Sequence, residues 1–423
     1  MGPNRIKIPI EFLVKNMEPQ SPSKVLYIHQ DGLVTGSFIS LTYLIKGLNR
    51  LLFTPEVIFL NDGPAIKEML NMGVTAHLCP SPTFWTNPGP RFLSFGNLDN
   101  YKALIPNFKL RRLIKSIQPD IIHLNDKAAL NAGISIFGLK IPIVQHVRST
   151  FYGLKAGINK FIQKSVIAIY ADSIIGITET ETREFKAYNA KTVYNSLDLS
   201  EVNEAIKSIH HTKLEIHIDH NTLNIGWVAR YSRSKGLWDF MDLVQSIVEQ
   251  NPNWNIRFYL VGKLPDDNDK EQDPMTKEFY SIKARFNKYL ENKELATKLV
   301  LLGYRKDYLN IMAALDIVIN CNRLGSMGRQ AFETMAVGTV SIATHRYPEI
   351  NEMISHGKDG YVVKEGDIQS IQKIIDKLYN DRKMLALVSE SAQKNAQQEF
   401  SNLIQTQKIE KEYLRLLSHK RTN

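Results

Sequence analysis

The chain has 423 residues, of which 43% are hydrophobic and 23% charged, with 17 prolines and 23 glycines. These values exclude fibrous and disordered classes, and the length exceeds what one core comfortably serves, so two or three domains are expected. A net charge of +10 serves solubility or marks an anionic partner such as a membrane surface, a lipid phosphate or a phosphate-rich substrate, and its local distribution leans toward the partner.

In chain order, the segment 1–20 mixes charges into its apolar run, unlike a signal peptide. Lys24–Ile28 is a strand-like run, followed by a glycine-containing loop, Asp31–Gly36, and by Phe38, Leu41, Leu44, Ile45 and Leu48 at helical spacing. Strand Glu56–Leu60, helix Pro64–Met72 and strand Thr75–Leu78 follow. Helix Pro106–Ile117 tolerates proline in its first turn. Strand Asp120–Leu124, helix Ala128–Phe137 and the strands Ile141–Val144, Ser173–Ile177 and Lys191–Tyr194 close the series. The longest apolar stretches, Asn131–Val147 and Ser165–Ile177, contain Lys140 and Asp172, and neither reaches the roughly 18–20 clean residues of a bilayer span. A cytoplasmic protein is expected, or one peripheral on the inner face of a membrane.

The polar, histidine-rich stretch Ser200–Asn221 has no apolar period and reads as a linker. The alternation then restarts with strand Leu223–Val228, helix Leu237–Gln250 and strand Ile256–Val261. A charged insertion, Asp266–Asp273, precedes a helix from about Thr276 to Asn292. Strand Leu299–Leu302, helix Asp307–Ala314, strands Ile317–Asn320 and Val340–Ala343 and terminal helices complete the chain. Strands alternating with helices build parallel sheets covered on both faces. The expected fold is α/β, with two Rossmann-like doubly wound domains, 1–200 and 201–399, facing across a cleft. The helix 400–418, with Phe400, Ile404, Ile409, Tyr413 and Leu416, is expected to return to the first domain. Cys79 and Cys321 lie far apart with no ligand-like spacing, which argues against a disulfide framework or a cysteine-held metal.

Chemistry concentrates in two segments. In Gly226–Gly236, Arg230 and Lys235 stand past a strand and before a helix, where two cations and a helix N-terminus suit a diphosphate. In Ile319–Gly338, a strand ends at a small-residue turn carrying Gly325, Ser326, Met327 and Gly328, which presents backbone N–H groups to an anion. Glu333 stands on the apolar-faced helix that follows, where a lone carboxylate is costly unless bonded. A ribose diol satisfies it; so does an internal salt bridge.

These segments resemble glycosyltransferase family 4, a retaining group of the GT-B fold. Asn195 and Asp198 in VYNSLD, Arg230 with Lys235–Gly236, YLVG at Tyr259–Gly262, LLGYR at Leu301–Arg305, Glu333 with Ala336–Gly338, and Glu349 agree with the family pattern in order and spacing. In the first half Thr35–Leu48, with Gly36, Pro119–Asn125 and Val144–Arg148 resemble it more loosely. The resemblance implies a donor that is a nucleotide-diphosphate sugar, gripped by Arg230 and Lys235, with Glu333 on its ribose. It implies further that His146 lies near the donor sugar, that Gly36 contacts the donor, and that the turn at Tyr304 holds the base. The leaving phosphate helps deprotonate the acceptor, so no protein nucleophile is demanded, and no cofactor or metal is expected. The family's first glutamate of an E-x7-E pair is replaced by Gly325, where Asn322, Arg323 or Ser326 could take a polar role. A non-catalytic sugar-nucleotide binder, or an epimerase or hydrolase on the same fold, stays open. The expected acceptor is a glycan or lipid-linked molecule; no nucleic acid partner is expected. Lys102, Lys109, Arg111, Arg112 and Lys115, interleaved with Phe108, Leu110, Leu113 and Ile114, and a second group of Lys155, Lys160 and Lys164, suggest contact with anionic membrane.

Overall fold

The computed structural model describes residues 21–84, 101–149, 151, 158–272, 276, 278–323, 328–345 and 348–421. The first sheet holds β1 (Ser23–His29), β2 (Phe53–Phe59), β3 (Thr75–Leu78), β4 (Ile121–Leu124), β5 (Ile143–Val147), β6 (Ser173–Gly176) and β7 (Lys191–Thr192), in the order β3-β2-β1-β4-β5-β6-β7. The second holds β8 (Leu223–Val228) and β9 (Ile256–Val261), then, after an antiparallel hairpin of β10 (Lys270–Gln272) and β11 (Phe279–Ser281), β12 (Leu299–Gly303), β13 (Ile317–Asn320), β14 (Val340–His345) and β15 (Tyr361–Lys364). Its order is β12-β9-β8-β13-β14-β15. Every pairing within the two sheets is parallel. Central strands such as VLYIH, IIHL and LNIGWV are buried along their length, because helices cover both faces and no side of the pleat meets water.

In each sheet the strand order reverses beside the first strand, between β1 and β4 and between β8 and β13. Loops leaving the carboxyl ends of those strands diverge there and open a crevice. Helix α1 (Gly36–Gly47) leaves the β1 loop and buries Phe38, Leu41, Leu44 and Ile45 against the first sheet.

Three expectations need correction. Ser200–Asn221 is not a linker, since it carries α2 (Leu199–Lys207) and α3 (Ile209–Glu215). Asp198 caps α2 by accepting from Ser200 N–H, and Val202, Ala205 and Ile216 join the apolar cluster of Leu309, Ile311 and Met312. The helix expected from Thr276 begins only at Ile282, as α4 (Ile282–Leu290), because Phe279–Ser281 pairs with the charged insertion as β11 and Ser281 then caps the helix. The strand expected at Ile141–Val144 starts at Ile143, since Pro142 has no N–H for the ladder.

The final helix, α5 (Asn402–Arg421), lies on the first sheet. At the crossing, Leu197 N–H donates to Phe400 O (2.7 Å) and Asn402 N–H to Leu197 O (2.8 Å), so the outgoing and returning chains run side by side. Phe400 stacks on Phe332 beneath the second sheet, whereas Ile409, Tyr413 and Leu416 enter the core of the first. Tyr413 is fully buried, with its hydroxyl 2.6 Å from His123 Nδ1 and 3.3 Å from Tyr27 Oη. Tyr413→Ala is expected to cost about 3–5 kcal/mol through the cavity it leaves. Tyr413→Phe, which loses only the hydroxyl, should cost about 1–2 kcal/mol. Chemical denaturation of the two variants against the parent checks the ratio.

Candidate active site

A cavity of about 490 Å³ lies between the two sheets. Gly36, Ser37 and Ser40 of α1, with Arg148 and Asn195, form one wall; Arg230, Lys235, Asn322, Gly328, Arg329 and Glu333 form the other. A second hollow of about 420 Å³ shares Arg230 and Tyr308 with it and continues past Gly262, Lys263, Tyr304 and Arg305.

The loop after β8 is fixed by sterics. Gly236 has φ +76°, and a Cβ there would stand 2.1 Å from Cys321 O, so only glycine lets this turn lie against the end of β13. Arg323 N–H donates to Ser234 O (3.0 Å), and the Arg323 guanidinium grips Asp239 in a two-point ion pair. Arg323 therefore ties loop to helix and does not replace the carboxylate missing at position 325. On the outer side Glu271 of β10 accepts from Arg233 N–H at 2.8 and 3.0 Å, and Tyr280 Oη donates to Glu271 Oε2 (3.0 Å). Trp238 Nε1–H in turn donates to Tyr280 Oη (3.0 Å). The charged insertion is thus a brace for the cationic loop, a role that needed the hairpin to be seen.

Braced in this way, Lys235 is held partly buried. Burial, reinforced by the neighbouring Arg230 charge, pushes its ammonium pKa below the usual lysine value. Among the described residues neither Arg230 nor Lys235 has an ion-pair partner. Two adjacent cations lining one cavity, one of them partly desolvated, favour an anion between them.

Glu333 sits on α-helix Arg329–Ala336 and is 2% exposed. Its Oε1 receives Arg329 Nε (2.9 Å) and Tyr308 Oη (3.2 Å), and an Arg329 Nη lies 2.8 Å away. The internal salt bridge exists, but it engages one oxygen. Among the described residues no hydrogen bond reaches Oε2, and the side chain lines the cavity. Arg329 also donates to Ser40 Oγ (3.0 Å) and Ser196 O (3.3 Å), strapping the two walls together.

His146 is placed otherwise than expected. It is 1% exposed, its Nδ1 lies 3.2 Å from His123 Nε2, and burial with the Arg148 charge holds its pKa well below the ordinary histidine value. It is buried in the first sheet and is not among the residues lining the cavity, because its position on β5 turns it toward His123. Arg148, two residues on, is the side chain that reaches the cleft. The signal was available: Arg148 is the first residue beyond the carboxyl end of β5, the position where doubly wound sheets meet ligands. Gly36, Arg230, Lys235, Gly328 and Glu333 share the main cavity, and Tyr304, 70% exposed, lines the adjoining hollow. Gly325, Ser326 and Met327, and the Glu349 side chain, lie outside the described residues.

The basic face also changes. Arg111 donates to Ser135 O (2.8 Å) and Phe137 O (2.9 Å), closing the end of the neighbouring helix Leu130–Ile136. Lys160 and Lys164 both pair with Glu184 at 2.7 Å, and Lys155 lies outside the described residues. Among the described residues Lys109, Arg112 and Lys115 of helix Phe108–Ile117 form no ion pair, and the exposed Ile105 and Phe108 lie beside them. Among the described residues no helix is long and apolar enough to cross a membrane.

Comparison with known proteins places both halves. Residues 34–201 match the family described as Glycosyltransferase Family 4, and residues 222–381 match Glycosyl transferases group 1. The chain is 22% identical over 324 residues to the capsular polysaccharide biosynthesis glycosyltransferase CapM of Staphylococcus aureus, covering 72% of this chain and 80% of that one. It is 23% identical over 341 residues to the UDP-Gal:alpha-D-GlcNAc-diphosphoundecaprenol alpha-1,3-galactosyltransferase of Escherichia coli, covering 77% and 82%. Among solved structures, HepE of Anabaena in complex with UDP superposes with a TM-score of 0.72 at 20% identity, over 92% of this chain and 98% of that one. A glycosyltransferase of Rickettsia africae gives 0.72 at 16% identity, over 94% and 99%. These likenesses give the fold as GT-B.

The loop geometry makes a direct prediction. Gly236→Ala should cost at least about 1–2 kcal/mol for the left-handed backbone alone, with loss of inorganic pyrophosphate binding. Glu271→Ala should weaken pyrophosphate by about five- to tenfold, equivalent to one lost charged hydrogen bond, without a comparable fall in melting temperature. Isothermal titration and thermal unfolding of both variants separate the two effects.

Proposed function

We propose, from the premise that this chain is a glycosyltransferase of the group 1 and family 4 type, that it moves a sugar from a UDP-linked donor to a glycan or lipid-linked acceptor, with retention at the anomeric carbon and without a metal. The observation that carries the reading is that Arg230, Lys235 and Glu333 line one cavity between the two sheets. The uridine diphosphate donor is supported by the UDP in HepE and by the UDP-galactose named for the E. coli relative. A role in surface-polysaccharide assembly is supported by the same relative and by CapM.

The chemistry follows from where charge develops. Cleaving the bond between sugar and diphosphate leaves negative charge on the departing oxygen. Arg230 and Lys235 meet that charge already in place, Lys235 already partly desolvated, which lowers the barrier electrostatically. Glu333 Oε2 takes the ribose diol while Arg329 fixes the carboxylate plane. The leaving phosphate accepts the proton of the incoming acceptor hydroxyl on the same face. Closing of the two walls expels water that would otherwise hydrolyse the donor.

The acceptor side is peripheral to anionic membrane through Lys109, Arg112 and Lys115, with Ile105 and Phe108 entering the headgroup boundary. Lys109→Glu with Arg112→Glu should abolish sedimentation with phosphatidylglycerol vesicles and leave melting temperature unchanged. Arg111 is left intact because it holds backbone carbonyls. Persistent vesicle binding ends this part of the reading.

Transfer itself is tested by UDP release from UDP-glucose, UDP-galactose and UDP-N-acetylglucosamine, with and without bacterial lipid extract as acceptor source. Acceptor-dependent release, unchanged by EDTA, is expected; free or isomerised sugar without acceptor contradicts it. Lys235→Gln should lower kcat/KM by about 10²–10³. Because the free Lys235 pKa is depressed and a bound diphosphate restores it, donor kcat/KM should fall as pH rises through the free-enzyme value. Lys235→Arg, always charged, should remove that alkaline limb.

A further inference from the structure

Arg148 is 8% exposed, yet among the described residues it forms no ion pair. Nε donates to Asn125 Oδ1 (2.8 Å) and one Nη to Asn195 Oδ1 (2.6 Å), both neutral amide oxygens. Asn125 is itself fixed, its Nδ2 lying 2.9 Å from His29 Nδ1 and 3.2 Å from Ser37 O. The guanidinium is therefore aimed by a rigid frame, with its second Nη left over and the side chain on the cavity wall. The nearby Asp126 carboxylate forms no ion pair with it among the described residues; its Oδ1 accepts from Ala128 N–H (3.0 Å) and Ser149 Oγ–H (3.1 Å). Burial pushes the Arg148 pKa down to about 9, Asp126 opposing and Arg329 adding to the fall. Beside it, α1 begins without a side-chain cap or an acidic first turn, and Gly36 and Ser37 face the same space.

A charge inventory says what this cation is for. Arg148, Arg230, Lys235 and Arg329 line the cavity, and Glu333 is the single carboxylate among them. Glu333 offsets Arg329, with which it is paired. A nucleotide-linked diphosphate, charged once on each phosphoryl group, offsets Arg230 and Lys235 on the second sheet. Arg148, on the opposite sheet, has no carboxylate within ion-pairing distance among the described residues, and Asp126 opposes the effect of its burial only from further away. A buried cation without a counter-charge is costly unless a ligand supplies one.

We propose that Arg148, framed by Asn125 and Asn195 at the start of α1, binds a phosphoryl group of the acceptor, so that the enzyme selects phosphorylated acceptors. This rests on the donor reading above only in assigning the first anion to the nucleotide. Arginine and a helix N-terminus together are a recurrent phosphate site.

The test is isothermal titration of inorganic phosphate into the full chain, free and saturated with UDP. The expected result is that UDP-saturated protein still binds phosphate and that Arg148→Gln weakens it at least tenfold, with UDP affinity changed less than twofold. Asn195→Asp, nearly isosteric, places a carboxylate on Arg148 and should abolish phosphate binding even if Arg148→Gln unfolds. The proposal is overturned if UDP displaces the phosphate completely, if neither variant weakens it, or if no phosphate binds. Should UDP itself fail to bind, phosphate binding that survives Lys235→Gln and is lost in Asn195→Asp upholds the subsite while the donor reading falls.

Discussion

The structure turns on two cations, Arg230 and Lys235, that line the cavity with no ion-pair partner among the described residues. Lys235 and Arg230 stand side by side at the carboxyl edge of β8, and the fold spends several contacts on keeping them there. Gly236 permits the approach to Cys321, Arg323 ties the loop to Asp239, and Glu271 holds it from outside. Each contact is ordinary; together they hold the partly buried Lys235 beside the more exposed Arg230, whereas a loop relaxed outward would solvate Lys235 and lower the affinity for a diphosphate toward that of a surface pair.

The same logic extends across the cleft. Arg329 reaches from the second-sheet wall to Ser40 and Ser196, while its other edge orients Glu333. One side chain thereby links the position of a nucleotide-facing carboxylate to the spacing of the two walls. A change in that spacing, of the kind that accompanies closure in two-domain enzymes, is felt at Glu333 Oε1 and hence at whatever Oε2 holds. The crossing of the chain at Leu197 and Phe400, where two backbone strands lie together, limits how freely the halves move.

Much of this was legible in the sequence because it is written in local chemistry. Apolar runs such as VLYI and IRFYLV announce buried strands, and cations between a strand and a glycine announce an anion loop. The misses have a common cause: they depend on which way a side chain faces or on partners far along the chain. His146 and Arg148 lie two residues apart, but strand geometry seals the first against His123, 23 positions earlier, and leaves the second at the open edge. The histidine-rich stretch before β8 looked polar because its apolar positions are few, yet Val202, Ala205 and Ile216 suffice once Leu309 and Met312 meet them. Glu271 was invisible as a brace because its partner is a backbone N–H, which no composition records.

The central claim is that a nucleotide diphosphate lies in the inter-sheet cavity against Arg230 and Lys235. Its most direct test is a crystal structure of the protein with UDP. The account predicts the diphosphate within hydrogen-bonding distance of Arg230 and Lys235 and the ribose hydroxyls on Glu333 Oε2; nucleotide bound elsewhere, or a diphosphate turned to solvent with Lys235 unengaged, contradicts it.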